Sequence, residues 1–187
     1  GDPGTKVTIW VRREGENQLL DFELVREIIQ IKSVRYEKID DLGYVRIAQF
    51  TQRTTQEMEE ALSELLPVQG MVLDLRNDPG GLLNAAVEVS DMFLDGGLIV
   101  GMRGRVREAN EEYYAKSGFL YDGPVIALIN EGSASASEIV AGALRDNGRA
   151  ILVGTKSFGK GSVQTLFRLP DESGLFITIA RYYTPAG

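Results

Sequence analysis

Between residues 44 and 153, short apolar runs alternate three times with amphipathic segments. Tyr44-Val-Arg-Ile-Ala-Gln-Phe50, Met71-Val-Leu-Asp-Leu75 and Val125-Ile-Ala-Leu-Ile129 have the length and composition of strands, and residues 150 to 153 begin a fourth. After the first run, Met58, Ala61, Leu62, Leu65 and Leu66 fall on one helical face. Thr54 and Glu57 ahead of them have capping-box spacing. A second helix is expected to run to about Leu94, closed by Gly96-Gly97, and a third from the serine-rich run at 133 to about Arg145, closed by Asn147-Gly148. Such alternation favours right-handed crossovers and a largely parallel sheet, that is, an α/β fold. Ligands of parallel sheets bind at the carboxyl ends of the strands. Two loops at such ends, 76 to 81 and 130 to 138, carry the unusual residues.

The flanks read differently. Val7, Ile9 and Val11, the turn Glu14 to Asn17, then Leu20, Phe22 and Leu24 predict a β-hairpin. An isolated hairpin is marginal in water, so this one should belong to something larger. Residues 98 to 120 mix strand-like patches with a charged segment bearing Tyr113 and Tyr114, which could be a flap lining a peptide groove. A second hairpin is expected at 162 to 169 and 175 to 183, turning at Pro170 to Gly174. The chain of 187 residues suffices for one main core. Both ends look cut.

Composition narrows the chemistry. The chain has no histidine and no cysteine, which removes disulfides, thiol catalysis and the usual zinc ligands, and no loop has the spacing of a calcium hand. No metal and no cofactor are expected. A net charge of −7 argues against nucleic acid as a partner. No apolar run approaches the roughly 18 residues that would span a bilayer.

Against that background stands the run Gly132-Ser-Ala-Ser-Ala-Ser-Glu138, followed by the loop Gly159-Lys160-Gly161. A serine hydroxyl needs a base within hydrogen-bond reach, and a chain without histidine offers lysine, a carboxylate or a terminal amine. Lys160 is the best candidate. A serine at the start of the third helix lies beside unsatisfied N–H groups and the positive end of the helix dipole. The N–H of Ala136 would supply one half of an oxyanion hole and the Gly80-Gly81 turn the other. Lys160 must be neutral to accept a proton, so burial is required, and Phe158 and Val163 are suited to exclude water. Gln164 has a carbonyl that could orient the amine without charging it. Blander readings remain: Ser135 and Glu138 also suit a helix cap, and Gly154-Thr-Lys-Ser-Phe-Gly-Lys160 matches most of a phosphate-binding loop. The latter lacks the final Ser or Thr, and the residues after it look like a strand.

Taken together, Asp74-Leu-Arg-Asn-Asp-Pro-Gly-Gly81, the run Gly132 to Ile139 and Ser157-Phe-Gly-Lys-Gly-Ser-Val-Gln164 resemble the tail-specific, or C-terminal processing, serine protease family. The resemblance implies a crotonase-like, ClpP-like protease core of β-α units over 31 to 187, truncated at its C-terminal side. Residues 1 to 30 would be the last part of a PDZ domain, which in such families captures the substrate's C-terminal carboxylate by strand addition. It implies Ser135 as nucleophile, Lys160 as general base and Gln164 as the group orienting it, with Gly80, Gly81 and Ala136 forming the oxyanion hole. Asp146 matches a supporting acid and is expected to be structural. Asp78 stands where asparagine is common, and is expected to face solvent. Implied partners are protein or peptide substrates recognised by their C-termini, in a periplasmic or other extracytoplasmic setting, with the oligomeric state open. The alternative is a peptide-binding or lipophilic-ligand module on the same core, without catalysis.

Overall fold

The computed structural model describes residues 1–29 and 31–187, which fall into two compact units, Gly1–Lys32 and Ser33–Gly187. The expected boundary at residue 30 falls on Gln30, outside the described residues. In the first unit, β1 (Lys6–Val11) pairs antiparallel with β2 (Leu20–Val25). The alternation places apolar partners opposite one another, Val7 with Leu24, Ile9 with Phe22 and Val11 with Leu20.

The second unit is built on a five-stranded sheet. An antiparallel pair, β3 (Val34–Ile39) and β4 (Leu42–Ile47), is extended in parallel by β5 (Gly70–Asp74), β8 (Val125–Ile129) and β9 (Ala150–Gly154). Helices α1 (Thr54–Leu65), α2 (Leu83–Asp91) and α3 (Ala136–Asp146) connect these strands, so the expected alternation and parallel pairing are present. Val45, Ile47, Leu73 and Leu75 from the sheet side and Met58, Val89, Val140 and Leu144 from the helices are completely enclosed in one core. The opposite face of the sheet is open: Ile151 is 70% exposed and Val153 47%.

A second sheet is wholly antiparallel, in the order β10 (Ser162–Arg168), β11 (Gly174–Tyr183), β6 (Leu98–Gly104), β7 (Glu111–Tyr114). It joins the core through Ile99 and Val100 of β6. Within the segment 98 to 120, residues 98–104 and 111–114 are strands of this sheet with a short 3₁₀ turn at 107–109 between them, and 115–120 lie outside it. No described helix is long and apolar enough to cross a membrane.

One local expectation fails. Thr54 is the first helical residue of α1 and not its cap. Glu57 turns away to accept the Ser33 N–H at 2.7 Å, the Ser33 hydroxyl at 2.8 Å and the Val34 N–H at 3.0 Å. Three donors at the start of β3 outcompete the single N–H that a capping box would offer.

Candidate active site

The carboxyl ends of β5, β8 and β9 are neighbours in the sheet, so the loops leaving them meet. The turn after β5 and the loop after β8 are tied together by Asn130, whose amide accepts the Asn77 N–H at 2.8 Å and donates to the Asn77 side-chain oxygen at 2.9 Å. The Ala134 N–H donates to the Asp78 carbonyl at 3.0 Å. The loop after β9 joins them when the Phe158 N–H donates to the Ser133 carbonyl at 3.0 Å.

This packing separates the three serines. Ser133 is fully buried; its hydroxyl donates to the Leu75 carbonyl at 2.7 Å and accepts the Asn130 N–H at 3.0 Å. Ser137 is fully buried and donates to the Asp78 carbonyl at 3.0 Å. Ser135 alone of the three is only half-buried. It caps α3 with φ +56° and ψ −113°, a region that a residue with a side chain enters at a cost of order 1–3 kcal/mol. A positive φ at a turn into a helix lifts the side chain clear of the backbone around it.

Gly80 and Gly81 lie against that serine. A side chain at Gly80, whose φ is +93°, would meet the Ala134 carbonyl at 2.5 Å and the Ser135 Cβ at 2.9 Å. One at Gly81, φ +148°, would collide with the Phe50 carbonyl. Only glycine permits this approach. The Gly80 N–H is already committed, donating to the Asp78 carboxylate at 2.8 Å. Among the described residues neither the Gly81 nor the Ala136 N–H has an acceptor.

Asp78 overturns the expectation that it faces solvent, because the start of α3 lies over its turn and leaves it no exposed surface. One carboxylate oxygen holds the Gly80 N–H and the other has no partner. Burial pushes its pKa up to about 6, against the pull of the Gly80 N–H, Ser137 and the charge of Arg46. Asp74, at the end of β5, is equally enclosed but well served. Arg76 reaches back to both of its oxygens at 2.8 and 2.7 Å, and the Tyr44 hydroxyl donates at 2.6 Å. Burial acts to raise its pKa, but these donors outweigh it and hold the carboxyl at about 2.

Lys160 and Ser135 line one cavity of about 190 Å³, together with Val100, Ile139, Tyr182 and Thr184. The shelter expected for the lysine is missing: Lys160 is exposed, Phe158 is 68% exposed and Val163 only half-buried. The loop does not bury its own lysine, because Phe158 takes no part in the cavity lining. Gln164 stands on β10 beside a register shift between Val163 and Gln164, exposed and outside that lining. Because β10 is a strand, the 154 to 160 loop lacks the helix N-terminus that a phosphate-binding loop requires.

Asp146 lies at the far end of α3, about 16 Å along the helix from Ser135 at the usual rise per residue. Burial acts to raise its pKa, but hydrogen bonds from Thr184, the Ala186 N–H at 3.0 Å and Arg145 keep it below the ordinary carboxylate range. It therefore fastens the segment whose Thr184 forms one wall of the cavity.

Two features escaped the sequence reading. The Asp74, Arg76 and Tyr44 cluster had one weak signal, a strand ending in aspartate with arginine two residues on. Glu138 was legible only as a cap. In the structure its carboxylate accepts the Ser135 N–H at 2.9 Å, the Ser157 hydroxyl at 2.7 Å, the Gly159 N–H at 2.7 Å and the Lys160 N–H at 2.9 Å.

Comparison with known proteins identifies the family of the chain. A "Carboxy-terminal-processing protease" of Bartonella bacilliformis is 48% identical over 194 residues, spanning all of this chain and 45% of the relative. A "Carboxyl-terminal-processing protease" of Picosynechococcus sp. is 42% identical over 193 residues, spanning 99% of this chain and 46% of the relative. The solved "Photosystem II D1 C-terminal processing protease" superposes with a TM-score of 0.76 at 35% identity, covering all of this chain and 53% of that one. The chain thus spans about half the length of these relatives. Residues 41–187 match peptidase family S41, and the chain belongs to that family.

Proposed function

We propose that the protein is a serine endopeptidase that cleaves protein substrates near their C-termini, with Ser135 and Lys160 as its catalytic pair. The observation that carries this reading is the singling out of Ser135. It is the one serine of its run that is not fully buried, it sits at a strained helix mouth, and it shares a cavity with Lys160. A serine that only capped a helix would not need positive φ. This disfavours a purely binding module.

In the proposed mechanism the Ser135 hydroxyl attacks the scissile carbonyl as its proton passes to the neutral Lys160 amine. The negative oxygen is met by the N–H groups of Gly81 and Ala136, with Gly80 giving the close approach. The resulting ammonium returns the proton to the departing amine, leaving an acyl-enzyme that water hydrolyses with Lys160 again as base. Because Lys160 is exposed, bound substrate must supply the desolvation that makes its amine available. Gln164 completes the set as the group orienting that amine, and the register shift beside it is where β10 could turn its side chain inward. Asp146 acts structurally, through Thr184 and Ala186.

The fold is proposed to be the crotonase-like, ClpP-like core, preceded over residues 1 to 30 by the end of a PDZ domain that reads substrate C-termini. An extracytoplasmic setting accompanies this reading. The test is a fluorophosphonate probe applied to the full-length protein, with the adduct located by mass spectrometry. Labelling at Ser135 is expected, and its loss in both Ser135→Ala and Lys160→Ala. Labelling that survives Lys160→Ala would refute the pairing.

A further inference from the structure

The serine and the lysine come from segments that share no secondary structure: one begins α3, the other lies in the loop between β9 and β10. Something must hold them in register. Main-chain contacts contribute the bond from Phe158 to Ser133 on one side and that from the Tyr182 N–H to the Gly161 carbonyl, 2.8 Å, on the other. Between these two anchors stand Gly159 and Lys160, whose N–H groups both end on Glu138.

We infer that Glu138 is a positioning residue, its carboxylate clamping the Lys160 loop to the mouth of α3 and thereby setting the lysine amine against the Ser135 hydroxyl. The inference rests on the Ser-Lys reading above. Each oxygen accepts two bonds: one takes the Ser157 hydroxyl and the Gly159 N–H, the other the Ser135 and Lys160 N–H groups. One carboxylate therefore touches the backbone of both catalytic residues. Three of the four donors are main-chain N–H groups, which cannot reverse their role. Only a carboxylate, with acceptor capacity on both oxygens, satisfies them all. Glutamine would point its NH₂ at a donor, and aspartate would fall one methylene short. Among the described hydrogen bonds, the other side-chain link between these two loops, the Thr155 hydroxyl donating to Glu131 at 3.0 Å, touches neither Ser135 nor Lys160.

A misplacement of about 1 Å in a catalytic group can cost on the order of 100-fold in rate, so loosening this joint should be costly without contacting substrate. The full-length protein and its Glu138→Ala and Glu138→Gln variants are compared by hydrogen exchange and by fluorophosphonate labelling with and without added ethylamine. The expected result is a tenfold or greater loss of protection at the Gly159 and Lys160 amides, with the Val140 to Leu144 amides unchanged. Labelling of Ser135 should fall about 10- to 100-fold and be partly restored by ethylamine, as in Lys160→Ala, because the free amine replaces a displaced one. A cap that served only helix stability would give no amine rescue. Unchanged protection, labelling within twofold of the parent, or a loss that ethylamine does not relieve would each overturn the inference. If both Glu138 variants fail to fold, Ser157→Ala removes one bond of the four, and a three- to tenfold loss with amine rescue is expected; no loss overturns the clamp. Should the parent protein label without need of Lys160, the Ser-Lys reading fails, and the exchange data judge the clamp alone.

Discussion

Replacing Asp78 by asparagine should become progressively more favourable to stability, relative to the parent, as the pH rises. The carboxyl is enclosed, has one oxygen without a partner, and titrates at about 6 against an ordinary value of 3.8. Its folded value lies above its unfolded one, so the native state binds the proton more tightly. Well below 3.8 both states are protonated and the group costs nothing. As pH rises towards 6 the unfolded chain gives up its proton first, and folding is progressively penalised. Above 6 the whole penalty stands, and a difference of about 2 pH units corresponds to about 3 kcal/mol. The amide of the Asp78→Asn variant would keep the acceptor for the Gly80 N–H while removing the charge. Its NH₂ group, lacking a partner, adds a cost of about 1–3 kcal/mol that does not vary with pH. The slope is therefore the diagnostic quantity. Urea denaturation of parent and Asp78→Asn from pH 4.5 to 8 should show the variant gaining about 2–3 kcal/mol relative to the parent across that range. A difference independent of pH, or one growing as the pH falls, would refute the burial argument.

Two other perturbations have defined outcomes. Asp74 is held near 2 by Arg76 and Tyr44, so its contribution is complete above the ordinary carboxylate value and is lost as the pH falls from about 4 to 2; Asp74→Asn should flatten that acid limb of the stability curve, and an unchanged limb would show that the cluster is not responsible. Gly81→Ala would drive a methyl into the Phe50 carbonyl at a φ of +148°; a melting temperature lowered by several degrees with loss of Ser135 labelling is expected, and a fully active, equally stable variant would contradict the role given to that turn.

The sequence revealed what local pattern controls and missed what distant donors control. Apolar runs such as Val125 to Ile129 declare strands on their own, and their order placed the 76 to 81 and 130 to 138 loops at one end of the sheet. The 98 to 120 segment was opaque because Ile99, Val100 and Gly101 are all buried in succession, beside a register shift, which erases the period-two alternation of a strand. Glu57 and Glu138 share the same capping spacing. One was drawn to Ser33 and Val34 and the other also gathered the Lys160 loop, neither of which spacing can show. Asp78 looked solvated because charged turn residues usually are; its enclosure comes from α3, over fifty residues later.

The tips of three adjacent parallel strands carry the Gly80-Gly81 turn, the loop to Ser135 and the Lys160 loop, the three parts of the proposed site. A platform of that kind bends as one plate, and its cargo rides together. Small deformations then leave the spacing of the reacting atoms nearly intact, until the plate itself comes apart. Inactivation by heat and the melting of the central sheet would be a single event.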